Sequence, residues 1–305
     1  MLNTIHNFLK GNWNAIKIYD ENLVNKSLES GELYDAVLYM YWHGFVCIYQ
    51  GNFNITESIV NKLNEIYEVY EHDISKNLKH ELNTNLLIER RELNAALNEV
   101  INVIESRESA DNYFLLEIYA CQTWIYLLLG NFEAAETSLK QADRIKSEAV
   151  APVPFQLSSH CRSRLEYELY RLRQSTKDGN KAGISKFRKS ADNAGKKMVK
   201  VAKKVAQHRI ETYKLQGVYC WLINEQGKAL IWWHKAIEEG ERLGARLELS
   251  RTYFEIGRRL LESKSNYKEF KGVKAEEYLK KARSMFKDMD LKWDLDEIDK
   301  MAISL

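Results

Sequence analysis

Histidine, cysteine, serine and paired carboxylates are the side chains with which this chain could do chemistry, and their spacing limits how much. His72 and His80 stand eight residues apart with Asp73 nearby. That interval can place two imidazoles on one helix face, but no third ligand is in view, and a zinc site takes three or four. His160 adjoins Cys161, yet consecutive helix residues point in different directions and make a poor nucleophile–base pair. No HExxH, CxxC, GxSxG or GxxxxGK[ST] run occurs. His43, His160 and His234 fall inside apolar stripes and read as packed or surface residues. The acidic pairs Glu238-Glu239 and Glu276-Glu277 fall on faces predicted to point outward, where a solvated carboxylate is the default. The expectation is a chain with no catalytic residue, no cofactor and no metal.

What remains is recognition. From Lys181 to Lys204 nine lysines and arginines are offset only by Asp192, while Ala194, Met198, Val201, Ala202 and Val205 recur at helical spacing. This is an amphipathic helix with a basic outer face. The face either meets solvent or attracts phosphate or an acidic protein, and Lys196, Lys197, Lys200, Lys203 and Lys204 are its candidate contacts. It lacks the interleaved aromatics of a single-strand platform, so an acidic protein partner or neighbouring domain is expected before nucleic acid. Aromatics are dense elsewhere, at Tyr39, Tyr41, Trp42 and Phe45 and again at Trp232 and Trp233. One of each group can fill the core while another anchors a partner, as Trp and Tyr do in binding hot spots. Tyr41, Trp42 and Trp232 are the candidates.

The helices that must carry these residues are written in small side chains and glycines. Glu117–Lys146 reads as one hairpin: Ile118, Tyr119, Trp124, Ile125, Leu127 and Leu128, a turn at Gly130-Asn131, then Phe132, Ala135, Leu139 and Ala142 at helical spacing. Alanines let two helices approach and Leu139 fills the gap between them. The turn recurs as Gly51-Asn52-Phe53 and as Gly11-Asn12-Trp13, a step of about 40 residues and then of about two such steps. The member due near residue 91 lacks the glycine and reads Arg90-Arg91-Glu92. Residues 1–28 resemble the end of a repeat, a short helix followed by a second through Trp13, Ile16, Tyr19 and Val24. No polar cap stands before it, which suggests a fragment or a covalently linked N-terminal module. Pro152 and Pro154 mark a loop over SEAVAPVPFQ. Two clearer hairpins follow around Asn224–Gly227 and around a polar insert at 262–272, and Leu291–Met301 forms a capping helix.

Length, balance and cysteine usage bound the rest. A chain of 305 residues with a formal net charge of +2 signals neither nucleic acid nor a membrane surface. Cys47, Cys121, Cys161 and Cys220 are far apart; three of the four sit among aromatic or aliphatic residues and read as reduced core thiols, a usage that fits a reducing compartment. The N-terminus lacks a basic, long apolar leader, and no window approaches the roughly 18 apolar residues of a membrane span. A soluble cytoplasmic protein is expected.

The pattern resembles the tetratricopeptide repeat, which sets a small residue in its first helix, glycine and an aromatic at the turn, and alanine, a large residue and alanine in its second. Gly217, Ala229, Trp233 and Ala236 carry it, as do Gly257, Ala275, Leu279 and Ala282; Thr56 and Leu63 depart from it in an earlier hairpin. The spacing exceeds the roughly 34 residues of the standard unit, so longer helices are implied. Gly217–Leu261 is further similar to repeat tails of bacterial signalling proteins that join a nucleotide cyclase or kinase to a STAND-type ATPase. The resemblance implies an all-α solenoid of about seven hairpins in a superhelix, with repeats over 1–150 continuing through 151–305. Its implied role is a non-enzymatic scaffold or sensory arm holding a peptide, protein or effector in a concave groove. The competing reading is nucleic-acid or acidic-partner binding through the basic helix 181–204.

Overall fold

The turn glycines explain the architecture. A residue with positive φ closes a helix by directing the next amide back to a carbonyl five residues earlier. Gly11, Gly51 and Gly130 take φ of 84, 79 and 75°, and the amides of Asn12, Asn52 and Asn131 bond to the carbonyls of Asn7, Cys47 and Tyr126. The turn expected near residue 91 has the same bond, Glu92 N–H to the Leu87 carbonyl, with Arg91 itself at φ 62°. Position, not glycine, sets that turn.

The computed structural model describes residues 2–106, 112–148 and 153–303. It is all-α, with fifteen α-helices and one two-stranded ribbon among those residues. Two compact units divide the chain.

The first unit comprises Met1–Ser163 with Lys204–Gln207. It holds α1 (Leu2–Lys10), α2 (Glu21–Glu29), α3 (Leu33–Gln50), α4 (Phe53–Tyr70), α5 (Asp73–Glu89), α6 (Leu93–Glu105), α7 (Asn112–Leu128), α8 (Phe132–Glu148) and the start of α9 (Pro154–Lys177). α3 pairs with α4, α5 with α6 and α7 with α8; α3 also meets α5, and α5 meets α7. Hairpins thus succeed one another with their first helices side by side. Ala135, Leu139 and Ala142 are all buried, as their spacing requires. Thr56, in an alanine position, is also fully buried, its hydroxyl donating to the Gly44 carbonyl at 3.3 Å.

The second unit comprises Arg164–Lys203 and His208–Leu305. It holds the rest of α9, α10 (Lys181–Ala202), α11 (Arg209–Leu222), α12 (Gln226–Leu243), α13 (Arg246–Leu261), α14 (Ala275–Asp288) and α15 (Lys292–Ile303). The Arg171 guanidinium of α9 lies 4.6 Å from the Phe187 ring of α10. α11 pairs with α12, α13 with α14, and α15 closes on α14. Gly217 permits a close approach: a Cβ there would stand 2.1 Å from Nε1 of Trp233, which is wholly buried.

Three expectations need correction. Residues 13–24 do not form a single second helix. Trp13 turns back, stacking on Phe8 at 5.7 Å and on Tyr49 at 5.6 Å and donating from Nε1 to the Phe8 carbonyl at 2.9 Å. The helical run therefore stops at a 3-10 turn, Trp13–Ala15. α2 begins afresh where the Asp20 side chain accepts the Asn22 amide at 3.0 Å. The insert at 262–272 is not simply a polar loop: β1 (Glu269–Phe270) and β2 (Val273–Lys274) pair antiparallel, turning through Lys271 and Gly272 at φ 53 and 72°, the positive pair a tight hairpin demands. Buried Gln226 fixes the insert, accepting the Asn266 amide and donating to the Lys264 carbonyl, both at 2.9 Å. Lastly, Glu239 is not a solvated carboxylate: it bridges Arg209 and Arg242, each at 2.6 Å. Glu276 and Glu277 do face solvent.

Pro154 opens α9, where a first-turn proline forfeits no helical hydrogen bond; Pro152 lies outside the described residues. No helix among the described residues is long and apolar enough to cross a membrane.

Candidate functional site

The residues with chemical latitude are mostly committed to packing. The His72 Nδ1 caps α5 by accepting the Ser75 amide at 3.1 Å, and His80 Nδ1 lies 2.6 Å from Glu99 Oε1. The two imidazoles thus serve separate partners. Buried His160 pairs with Asp143 at 2.8 Å. Desolvation pushes the thiols of Cys47 and Cys220 up to about 11, which leaves them protonated and poorly nucleophilic at neutral pH. Among the described residues no three His, Cys, Asp or Glu side chains converge as a metal site would need.

Buried charges form a lattice within each unit. In the first, burial pushes the Glu117 carboxyl up to about 7, against a hydrogen bond from Ser159 and the charge of Arg162. The Arg162 guanidinium lies 3.6 Å from the Trp124 ring and 3.7 Å from Glu89. In the second, Lys214 meets Glu248 at 2.6 Å, and Arg251 grips Asp294 through Nε at 3.1 Å and a second nitrogen at 3.2 Å. Burial alone would raise Glu255, but Arg258, Arg259 and Arg173 hold it well below the usual carboxylate range. Charges matched in this way fix helix against helix and leave little for a ligand.

The sequence-expected contacts divide. Tyr41 is buried and donates to Glu81 Oε1 at 2.7 Å, so it is a core residue rather than a surface anchor. Trp42 is half-buried among Phe8, Tyr41 and Phe155, at 5.1–5.3 Å between ring centres. Trp232 is half-exposed, with the Tyr213 ring at 5.7 Å and the Lys235 ammonium at 4.6 Å. Lys196, Lys197, Lys200, Lys203 and Lys204 are all exposed.

The same basic helix supplies one wall of a cleft that lies wholly within the second unit. It encloses about 690 Å³ between the N-terminal half of α10 and the turn joining α11 to α12. From α10 come Lys181, Ile184, Ser185, Arg188, Lys189 and Asp192; opposite stand Tyr219, Ile223, Glu225 and Lys228. Asn180 positions the α10 wall by capping the helix, its side chain accepting the Gly183 amide at 3.0 Å. From there Lys181, Ser185 and Lys189 follow at intervals of four, one above the next, with Ile184 and Arg188 in the adjoining row. Ile184, Ile223 and the Tyr219 ring give the cleft an apolar part. Burial, reinforced by Asp192, pushes the Tyr219 hydroxyl up; it stays neutral and donates to the Arg188 carbonyl at 3.3 Å.

Four cations line this cleft against two carboxylates, and both carboxylates are engaged. Asp192 meets Lys196 at 2.5 Å and Glu225 meets Lys228 at 2.8 Å. Lys181, Arg188 and Lys189 are exposed and have no carboxylate within ion-pairing distance among the described residues. The arrangement can hold an anionic group over an apolar contact. The α10 half was foreseen as charge in the sequence. Tyr219, Ile223, Glu225 and Lys228 were missed, because nothing in the α10 sequence says which later hairpin it will face. Comparison of the chain with protein-family models and with curated proteins finds no match to either.

Proposed function

We propose that the chain is a non-enzymatic helical-repeat interaction module, and that it holds an acidic segment of a protein partner in the α10–α12 cleft. The observation that supports this most directly is the group Lys181, Arg188 and Lys189, three exposed cations without acidic partners beside an apolar wall. A docking segment with carboxylates flanking an aliphatic side chain complements both parts. A tetratricopeptide-like scaffold within a larger signalling assembly is the setting in which such a module would operate, and a cytoplasmic one agrees with the thiols. The exposed lysines farther along α10 and at its C-terminal end, Lys196, Lys197, Lys200 and Lys203, would steer an acidic partner toward the cleft without gripping it.

The test is fluorescence anisotropy with a labelled peptide of alternating glutamate and leucine, against a labelled single-stranded oligonucleotide. The peptide is expected to bind, to weaken as salt rises, and to lose at least about tenfold in affinity on Arg188→Glu with Lys189→Glu. Substituting Lys196, Lys197, Lys200 and Lys203 by glutamate should slow association more than it speeds release. Oligonucleotide binding without peptide binding would transfer the site to nucleic acid and sink the proposal.

A further inference from the structure

The cleft carries more uncommitted positive charge than a single carboxylate can neutralise. Asp192 and Glu225 already satisfy Lys196 and Lys228, so Lys181, Arg188 and Lys189 are left facing one mouth. Ser185 lies between two of them on the same helical row, and its hydroxyl has no hydrogen-bond partner among the described residues. Three charged donors and one hydroxyl able to donate therefore flank a common volume. A carboxylate presents two oxygens in a plane and one negative charge. A phosphomonoester presents three terminal oxygens and a charge of about −1.5 to −2 near neutral pH. Arginine meets such a group through two parallel N–H donors, whereas lysine meets it as a point charge. Arg188 and its two flanking lysines offer both kinds of contact.

We infer that the cleft recognises a phosphorylated side chain on the partner protein, the phosphate seated among Lys181, Ser185, Arg188 and Lys189 and the adjoining apolar residue resting on Ile184, Ile223 and the Tyr219 ring. This rests on the reading of the cleft as a docking site for an acidic protein segment and specifies what that segment carries. The volume of about 690 Å³ exceeds what a lone anion fills, so the source is a peptide rather than free phosphate. Tyr219 spends its hydroxyl on the Arg188 carbonyl, which leaves the ring to serve as a contact face and steadies the backbone that bears the arginine.

The experiment compares three versions of one short leucine-flanked peptide, with phosphoserine, glutamate or serine at its centre, by isothermal titration calorimetry on the full chain. Inorganic phosphate serves as a competitor. The phosphoserine peptide is expected to bind at least about tenfold tighter than the glutamate peptide, a gap of about 1.4 kcal/mol. Inorganic phosphate should displace it only at far higher concentration. Arg188→Lys should narrow the gap, Arg188→Glu with Lys189→Glu should close it, and Lys280→Glu, exposed on α14, should leave it intact. Circular dichroism confirms that each variant remains helical. Equal affinity for the phosphoserine and glutamate peptides overturns the phosphate inference and leaves the acidic-segment reading standing. Failure of both peptides to bind overturns the two together. Inorganic phosphate competing as well as the phosphopeptide overturns the peptide as the source.

Discussion

Gly217→Ala tests the close approach on which the α11–α12 hairpin depends. The new Cβ would stand 2.1 Å from Nε1 and 2.4 Å from Cδ1 of Trp233, far inside van der Waals contact. Trp233 is fully buried and its Nε1 donates to the Lys214 carbonyl at 3.1 Å, so the indole cannot swing aside freely. Overpacking of this kind costs about 1–3 kcal/mol, and a displaced indole loses a hydrogen bond worth about 1 kcal/mol. Opposing this, alanine is favoured over glycine in a helix by about 1 kcal/mol. The balance is a net destabilisation of about 1–3 kcal/mol, whereas propensity acting alone would stabilise by about 1 kcal/mol. The sign therefore discriminates. Urea unfolding followed by far-UV circular dichroism measures it, with tryptophan fluorescence resolving transitions if the two compact units melt separately. The partner variant is Trp233→Phe, which removes the pyrrole part of the ring. In that background Gly217→Ala should cost less, giving a coupling of about 1 kcal/mol or more. A stabilised single variant, or a cost unchanged when Trp233 is phenylalanine, would refute the steric reasoning.

Two further outcomes concern Glu117 and Glu71. Burial raises the folded-state pKa of Glu117 to about 7 from an ordinary 4.5. The folded protein therefore holds a proton there that the unfolded chain has released. Its contribution is complete below about pH 4.5, declines as pH rises, and is gone above about pH 7, a loss of about 3 kcal/mol over that window. Glu117→Gln should gain on wild type by that amount between pH 5 and pH 8 in denaturant titrations, and a pH-independent difference would contradict the assignment. Glu71, exposed at the end of α4, has φ 48°. Glycine removes the left-handed penalty there, so Glu71→Gly should raise stability by about 1 kcal/mol in the same titrations, and a loss would show that the side chain contributes more than its backbone strain costs.

What the sequence shows depends on whether the controlling contact is local. Gly51 and Gly130 announce their turns because an αL residue favours glycine whatever surrounds it. Arg91 occupies the corresponding position without that signature; there the flanking apolar runs alone located the turn. Trp13 was misplaced because its conformation is decided by Tyr49, on a helix more than thirty residues later. Helical periodicity reports which face of a segment is apolar, not which segment will cover it. Glu239 shows the same gap: its period put it outside, but Arg209 of the preceding helix reaches it. The cleft was half legible for this reason. Its α10 wall is visible as a run of cations, while Tyr219 and Lys228 become its other wall only when α11 and α12 fold against α10.

A formal charge of +2 conceals how differently the charges are used. Arg251 with Asp294 is buried on both sides of the pair, and Lys214, itself largely covered, meets buried Glu248. Removing one partner of such a pair costs about 3–5 kcal/mol, but replacing both by well-packed apolar groups is often neutral. Their value is therefore in specifying which helix meets which. Exposed pairs such as Lys140 with Glu136 are worth at most about 1 kcal/mol. Lys181, Arg188 and Lys189 belong to neither class. They span eight residues, about 12 Å along α10, so an anion seated midway lies about 6 Å along the axis from either end, within the Debye length of about 8 Å at physiological salt. An anion in the cleft feels them together, while the balanced charge beyond is screened. If the cleft holds an anion as proposed, its choice of partner rests on these three cations, and α10 can be altered there without disturbing the buried pairs that hold the helices together.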